Sequence, residues 1–415
     1  MHEWLMEEVV MPERVRAACA AVIRNGGAPG IDGMTAKQLR EHLATHWEVI
    51  RDKLLKGTYI PSPVRKVEIP KPDGGVRVLG IPTVQDRFVQ HMLVQVLTAI
   101  FDPAFSECSY GFRPGRSAQG AVKAAQKFAR AGKAWVVDMD ISKFFDHVNH
   151  DILMTRIGQQ IRDKRVLRLI GKYLRRGVLT EGVVVRSEEG TPQGGPLSPL
   201  LANIYLDAMD KELEKRGHAF CRYADDCNIY VASESSAQRV KEGMTRWIKR
   251  HLRLEVNEKK SGVGRVWERG FLGFTLNRKL EIEATAQSLQ RLKGKVREMW
   301  RSCQSRTSEQ LRDCWRAYIR GWWEYYKLAE DRRRIFALER WIRRHIRQCF
   351  WLRWHGVKGR LSALKRLGLK GTGLKIAYNS EGAWRIAMSP SMHRALSNSV
   401  LQRYGFVLPS TLATA

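Results

Sequence analysis

The stretch RYADDCNIYV, residues 222–231, constrains this chain more than any other. It sets two carboxylates side by side, Asp225 and Asp226, inside a run that otherwise reads as strand. Neighbouring strand side chains leave on opposite faces, and adjacent like charges repel. A turn at the pair, between the strand-like FCR and NIYV, relieves both problems. Its tight bend can bring both carboxylates to one edge, and Asp is common in turns. Taken alone, the pair supports no more than a turn.

A second cluster changes the odds. VVDMD, residues 136–140, ends an apolar strand, where an unpaired carboxylate is costly. Three carboxylates gathered from two strands can neutralise divalent cations. Mg²⁺ prefers hard oxygen ligands and keeps substrate phosphates in its shell. Two such ions about 3.5–4 Å apart activate a hydroxyl and stabilise a leaving pyrophosphate, which is the chemistry of nucleotidyl transfer.

Charge points the same way. With 72 Lys+Arg against 42 Asp+Glu, the 415-residue chain carries +30, an excess that predicts a polyanionic partner, nucleic acid or an anionic membrane. No apolar stretch approaches a membrane span, and the N-terminal MHEWLMEEVV lacks a signal peptide's basic and apolar regions, so a cytoplasmic location is expected. The seven cysteines include no C-x-x-C pair and read as reduced, mostly buried thiols.

The order of elements argues for an α+β fold. VRKVEI (64–69) and VRVLGI (76–81) flank KPDGG and predict a β-hairpin. Helices are expected over 12–24, 84–101, 150–176, 200–217 and 236–253; 134–148 reads as a buried strand running into a turn, 182–199 as a strand followed by a Gly/Pro loop, and 271–276 as another strand. Beyond residue 285 strands vanish. Residues 277–370 hold 25 Lys+Arg against 9 Asp+Glu and seven of the 13 tryptophans, a basic, helical, aromatic second region. Its tryptophans fall at helical spacing and read as core, which leaves the arginines between them for nucleic acid.

GIDG, VRKVEIPKPDGGVRVLGIP, SYGFRPGRSA, VVDMDISKFFD, TPQGGPLSPLLANIYLD, YADD and FLGF follow one another along the chain. In this order they resemble the reverse transcriptases encoded by bacterial group II introns, from about residue 12 to beyond 370. The resemblance implies a right-hand polymerase: fingers and palm with an N-terminal extension over 1–284, a helical thumb or maturase domain over 285–360, and a small basic DNA-binding segment over 361–415. It starts the first metal-binding motif, D-I-x-x-x-F-D, at Asp140, with Asp138 as the competing choice. Asp140, Asp225, Asp226 and the carbonyl of Ile141 would hold two Mg²⁺ ions, with Mn²⁺ a possible substitute. Phe145 would be the steric gate that favours dNTPs, although on pattern alone it reads as a core aromatic.

The same resemblance places the triphosphate at Lys71 and Arg77, with Arg65 and Lys66 as weaker candidates. Arg116 and Gln193 would approach the incoming nucleotide, with Gly194 and Gly195 letting backbone come close, and Arg113 would contact the template. FLGF, with Gly273, would be the primer grip. Arg332, Arg333, Arg343 and Arg344 are the candidate nucleic-acid contacts of the thumb. The lack of paired cysteines leads to the expectation of the compact kind without an endonuclease domain. The implied function is an RNA-directed DNA polymerase and maturase. It would bind its intron RNA, assist splicing and copy the intron at a DNA target, on an RNA template with a DNA primer, in the bacterial cytosol or at the nucleoid. An RNA-binding splicing factor with a vestigial polymerase site, and a reverse transcriptase turned to DNA repair or defence, stay open as alternatives.

Overall fold

The computed structural model describes residues 3–70, 75–180, 183–185, 190, 194–301 and 306–414. They form two compact units, Met1–Arg265 and Val266–Ala415.

The first unit runs α1 (Leu5–Val9), α2 (Pro12–Asn25), α3 (Leu39–Leu55), β1 (Val64–Pro70), β2 (Val76–Ile81), α4 (Val84–Phe101), α5 (Ala118–Arg130), β3 (Trp135–Met139), α6 (His150–Gln160), α7 (Lys164–Arg175), β4 (Val178–Thr180), β5 (Val183–Val185), α8 (Ser198–Lys215), β6 (Ala219–Tyr223), β7 (Asp226–Val231), α9 (Glu234–Leu252) and β8 (Gly262–Arg265). The expected single helix over 150–176 is two. Asp163 breaks it, capping α7 through the Arg165 and Val166 amides while accepting the Leu5 and Met6 amides from α1. One carboxylate thus satisfies the orphan donors of two helix starts.

Two four-stranded sheets result. One has the order β2-β1-β4-β5, with the expected β1–β2 hairpin pairing Glu68 with Val78. The other, β6-β7-β3-β8, is antiparallel throughout. Its central strands explain its depth: Val136, Val137 and Met139 of β3 and Cys227, Ile229 and Tyr230 of β7 are all buried. Helices α5, α8 and α9 pack on it. β3 and β7 lie side by side, Asp138 opposite Asn228 and Met139 opposite Cys227, so the end of β3 and the turn before β7 meet at one sheet edge.

The second unit contains β9 (Phe274–Leu276), β10 (Ile282–Ala284), α10 (Ala286–Arg301), α11 (Ser308–Tyr326), α12 (Arg333–Arg353), α13 (Gly356–Arg366) and the short helices α14 (Ala383–Ile386), α15 (Pro390–Ala395), α16 (Asn398–Arg403) and α17 (Pro409–Ala413). The division between units falls earlier than the boundary expected at 284, because β9 and β10 pair with each other and Ala284 packs with Trp323, Ala329 and Ile335. Of the tryptophans at helical spacing, Trp315 is fully buried, whereas Trp322 and Trp341 are half-buried and the neighbouring Trp323 turns into the core instead. The C-terminal residues expected to form a separate segment are built into this core instead. Ile386, Met392, Leu401 and Phe406 share it with Trp315 and Ile342. Trp315 donates its indole N–H to the Val407 carbonyl at 2.7 Å, and Glu339 accepts the Ser410 amide and hydroxyl at 2.6 and 2.8 Å.

Candidate nucleotidyl-transfer site

The Asp pair does sit at a turn. Tyr223 and Asp226 face each other at the ends of β6 and β7, leaving Ala224 and Asp225 as a two-residue bend. Ala224 takes φ +58°, a conformation that suits glycine and costs an alanine about 1 kcal/mol. Two neighbours hold it there. Gly111, from the SYGFRPG segment, lies against its backbone so closely that a Cβ on Gly111 would come 2.3 Å from the Ala224 nitrogen. From beneath, Arg222 donates to the Ala224 carbonyl at 2.8 Å.

Arg222 is a residue that sequence reasoning passed over. It is fully buried, and all five of its N–H groups are used. Nε and Nη2 form a forked pair with the two oxygens of Asp210 at 2.7 and 2.6 Å. Nη1 reaches Asn203 as well as Ala224, and Nη2 also reaches Ser109. Asn203 in turn donates to the Gly111 carbonyl at 2.8 Å. Helix α8, the loop before α5 and the acidic turn are thereby tied through one guanidinium. The signal was available in principle: an arginine inside an apolar strand needs a buried carboxylate, and α8 carries one.

Asp138 and Asp140 lie two residues apart at the end of β3 and are both half-buried. A second missed element fixes Asp140. The turn at 257–261 clips its backbone, with the Asn257 amide donating to the Asp140 carbonyl at 2.8 Å and the Asp140 amide donating to Ser261 Oγ at 2.9 Å. Ile141 is buried and bridges to Val256. The four aspartates share one field. Desolvation first, then the charges of Asp225, Asp138 and Asp140, push Asp226 up to about 6, while Lys260 pulls the other way. Asp138 weighs on Asp226 more than Asp140 does, so electrostatics alone does not choose between them. Among the described residues no three His, Cys, Asp or Glu side chains already converge at metal-binding distance. The donor set nevertheless suits a hard divalent cation: carboxylate oxygens only, with negative charge in excess.

A cavity of about 560 Å³ draws several of the sequence motifs together. Phe145 lines it with Phe112, Leu79 of β2, Arg87 of α4, Gly26 and Gly27 of the N-terminal loop, and Gly194 and Gly195. Phe112 is 56% exposed, takes φ +56° and lies 6.1 Å from the Tyr223 ring. Arg87 secures the N-terminal loop through the Gly26 and Ala28 carbonyls at 3.0 and 2.9 Å. Gly195 abuts Gln90 so closely that a Cβ there would sit 2.5 Å from its Oε1. Lys71 and Gln193 lie outside the described residues, as does the Arg77 side chain.

Other candidate side chains are engaged within the protein. Arg113 does not face nucleic acid: it is buried, donating to Asp102 Oδ1 at 2.7 Å and to the Ser106, Ser109 and Asp102 carbonyls. Arg116 is engaged by Glu107 and stacks over Tyr110. Lys66 pairs with Glu68 at 2.7 Å. In the second unit Gly273 is not in a strand. Leu272 and Gly273, at φ +54° and +80°, form a tight turn between Phe271 and Phe274. A Cβ on Gly273 would meet Tyr326 Oη at 2.7 Å. Arg332 caps the Ala329 and Lys327 carbonyls, Arg343 pairs with Glu339, and Arg344 lies over the Trp384 ring at 3.8 Å while donating to its carbonyl. These three serve the unit's own packing; Arg333, paired with Asp331, keeps an exposed side chain.

An antiparallel sheet backed by helices, with acidic side chains at one edge and a basic helical unit after it in the chain, is the α+β architecture of a right-hand polymerase. Comparison with known proteins gives the family. The model for reverse transcriptase (RNA-dependent DNA polymerase) matches residues 69–276, and that for the group II intron maturase-specific domain matches residues 289–368. Protein YkfC of Escherichia coli is 32% identical over 316 residues, covering 66% of this chain and 83% of that protein. The group II intron-encoded protein LtrA of Lactococcus lactis is 42% identical over 163 residues, 39% of this chain and 27% of LtrA. The solved telomerase from Candida albicans aligns at a TM-score of 0.48 and 13% identity over 89% of this chain and 67% of its own, a likeness that carries no weight beside the family matches. The chain belongs to the reverse transcriptase family, in the branch that carries a group II intron maturase domain. With membership come RNA-directed DNA polymerase activity, a dependence on divalent metal, and a maturase role in splicing.

Proposed function

We propose that this enzyme copies a group II intron RNA into cDNA with two Mg²⁺ ions held by Asp140, Asp225 and Asp226, with the Ile141 carbonyl as a further ligand. The observation that carries this reading is that the turn at Ala224–Asp225 and the end of β3 meet at one sheet edge, which gathers Asp138, Asp140, Asp225 and Asp226, with Asp226 raised by desolvation and by its neighbours' charge. When bound, the ions would activate the primer's 3′-hydroxyl and neutralise the leaving pyrophosphate. The protein's own residues supply position. Arg222 and Gly111 hold the acidic turn, and the 257–261 turn holds Asp140.

Phe145, on the wall of the cavity, would crowd a 2′-hydroxyl and so select deoxynucleotides. Lys71, Arg77, Arg116 and Gln193 are the proposed triphosphate and nucleotide contacts; Arg116 would first have to leave Glu107. The RNA partner is the host intron and the DNA partner its insertion target, as the kinship with LtrA supports.

Primer extension on an RNA template with Mg²⁺ tests the reading. Wild-type protein should give cDNA, and Asp225→Ala should lower synthesis about a thousand-fold or more while leaving RNA binding nearly intact. Phe145→Ala should raise ribonucleotide incorporation. Wild-type protein that makes no cDNA would sink the polymerase reading, and unchanged sugar selectivity in the Phe145 variant would remove it from the gate.

A further inference from the structure

A second concavity lies wholly within the second unit, about 470 Å³ in volume, between the start of α11, the ends of α12 and α13 and the chain around Tyr404. That volume is in the range of about 300–1,000 Å³ typical of ligand sites. Its floor is aromatic, with Phe350 and Phe406 meeting edge to face at 5.5 Å. Its rim is cationic, with Arg312, Arg353 and Arg366. One carboxylate, Glu309, stands among the lining residues.

Two of the guanidiniums are fixed in place. Arg353 donates to the Arg306 carbonyl at 2.6 Å, and Arg312 makes a forked contact with its neighbour Asp313 at 2.8 and 3.1 Å. Tyr404 lines the concavity and is 51% exposed, so its ring is open to a ligand. The next residue, Gly405, takes φ +85°, and a Cβ there would come 2.9 Å from Arg312 Cδ, so the chain passes close beside that arginine. Trp354, its ring 6.4 Å from Phe350, adds a second aromatic surface.

Flat rings beside fixed guanidiniums recognise an unpaired nucleotide: the base stacks on the aromatic, and the phosphates on either side pair with arginine. A duplex presents only phosphates and groove edges and cannot enter a concavity of this kind. We propose that this cleft captures a single-stranded RNA segment, stacking a base on Tyr404 and Trp354 and holding its phosphates with Arg312, Arg353 and Arg366. RNA rather than DNA is the occupant because most of the lining, Ser308 to Leu367, falls within the region matching the maturase-specific domain. The inference deepens the proposed function and rests on it, since it assumes a chain that binds RNA.

The test is photo-cross-linking of the full-length protein to a short oligoribonucleotide carrying thiouridine, with the joined peptides mapped by mass spectrometry. Cross-links in the peptides containing Trp354 and Tyr404 are expected. Tyr404→Ala should weaken them about ten-fold, whereas Tyr404→Phe, which keeps the ring, should retain them. Arg353→Gln combined with Arg366→Gln should also weaken them and flatten their salt dependence. Asp225→Ala should leave them unchanged. Cross-links confined to first-unit peptides would overturn the proposal. Equal capture of a thiothymidine oligodeoxynucleotide would overturn the assignment to RNA. Primer extension on the same preparation separates the two readings. cDNA without cleft cross-links sinks this inference alone, while neither cDNA nor RNA cross-links anywhere sinks the proposed function as well.

Discussion

The acidic turn has an underside and an upper side, and they handle charge in opposite ways. Beneath it, Asp210 and Arg222 are fully buried and fully paired, every guanidinium N–H spent. Above it, Asp226 is exposed at the edge and raised to about 6 by desolvation and by three neighbouring carboxylates. Breaking one member of a buried pair strands the other, whereas removing one of several repelling charges relieves the rest. The contrast teaches that the molecule concentrates its unfavourable charge at the one place where a cation is needed, and anchors that place from below with interactions that leave nothing unsatisfied.

The largest expected effect is on the lower side. Arg222→Met should cost about 3–5 kcal/mol, because Asp210 is left buried without its partner. Urea unfolding reads this, and the double variant Arg222→Met with Asp210→Leu should recover most of the loss. If the double variant is as unstable as the single one, the pair is not the anchor. Gly111→Ala should follow at about 3 kcal/mol, since the new Cβ meets backbone that cannot turn aside.

On the upper side the sign reverses. Asp226 has its pKa raised from 3.8 to about 6, so within that window the folded state binds more protons than the unfolded one, and stability falls as pH rises through it. In chelator, Asp226→Asn should therefore be more stable than wild type at pH 7, by about 1 kcal/mol once solvent screening at this exposed edge is allowed for. The advantage should vanish by pH 4 and reverse when a divalent cation is added. Thermal melts across this range check it, and a destabilised Asp226→Asn at neutral pH in chelator would erase the contrast. Smallest of all should be Ala224→Gly. Relief of the positive φ and the added chain entropy nearly cancel, for a net change under about 0.5 kcal/mol, read from the same melts.

Much of the fold and the acidic edge was legible in the sequence because period and turn chemistry are local. The 64–81 hairpin, the turn at Ala224–Asp225 and the burial of Trp315 all follow from spacing. What escaped depends on partners far along the chain. Arg113 looks in sequence like any surface arginine, and Arg222, although its apolar strand asks for a buried carboxylate, does not reveal which one. Only the fold shows that one meets Asp102 and the other Asp210, each inside the protein. Charge alone assigns Arg332 and Arg344 to nucleic acid, yet carbonyls and tryptophan faces claim them. Asp140 was singled out, but the turn that holds its backbone lies more than a hundred residues on and carries no motif.

The merging of residues 371–413 into the second unit's core bears on how such enzymes can be rearranged. The region matching the maturase-specific domain stops at residue 368, which invites a cut there in evolution or in the laboratory. Yet Trp315 and Glu339, inside that region, find their hydrogen-bond partners at Val407 and Ser410, outside it. The tail and these helices therefore fold as a single block. A recombinant that exchanged the tail for an unrelated one would have to replace a share of the core at the same crossing point, which makes the end of this chain a poor site for grafting new specificities.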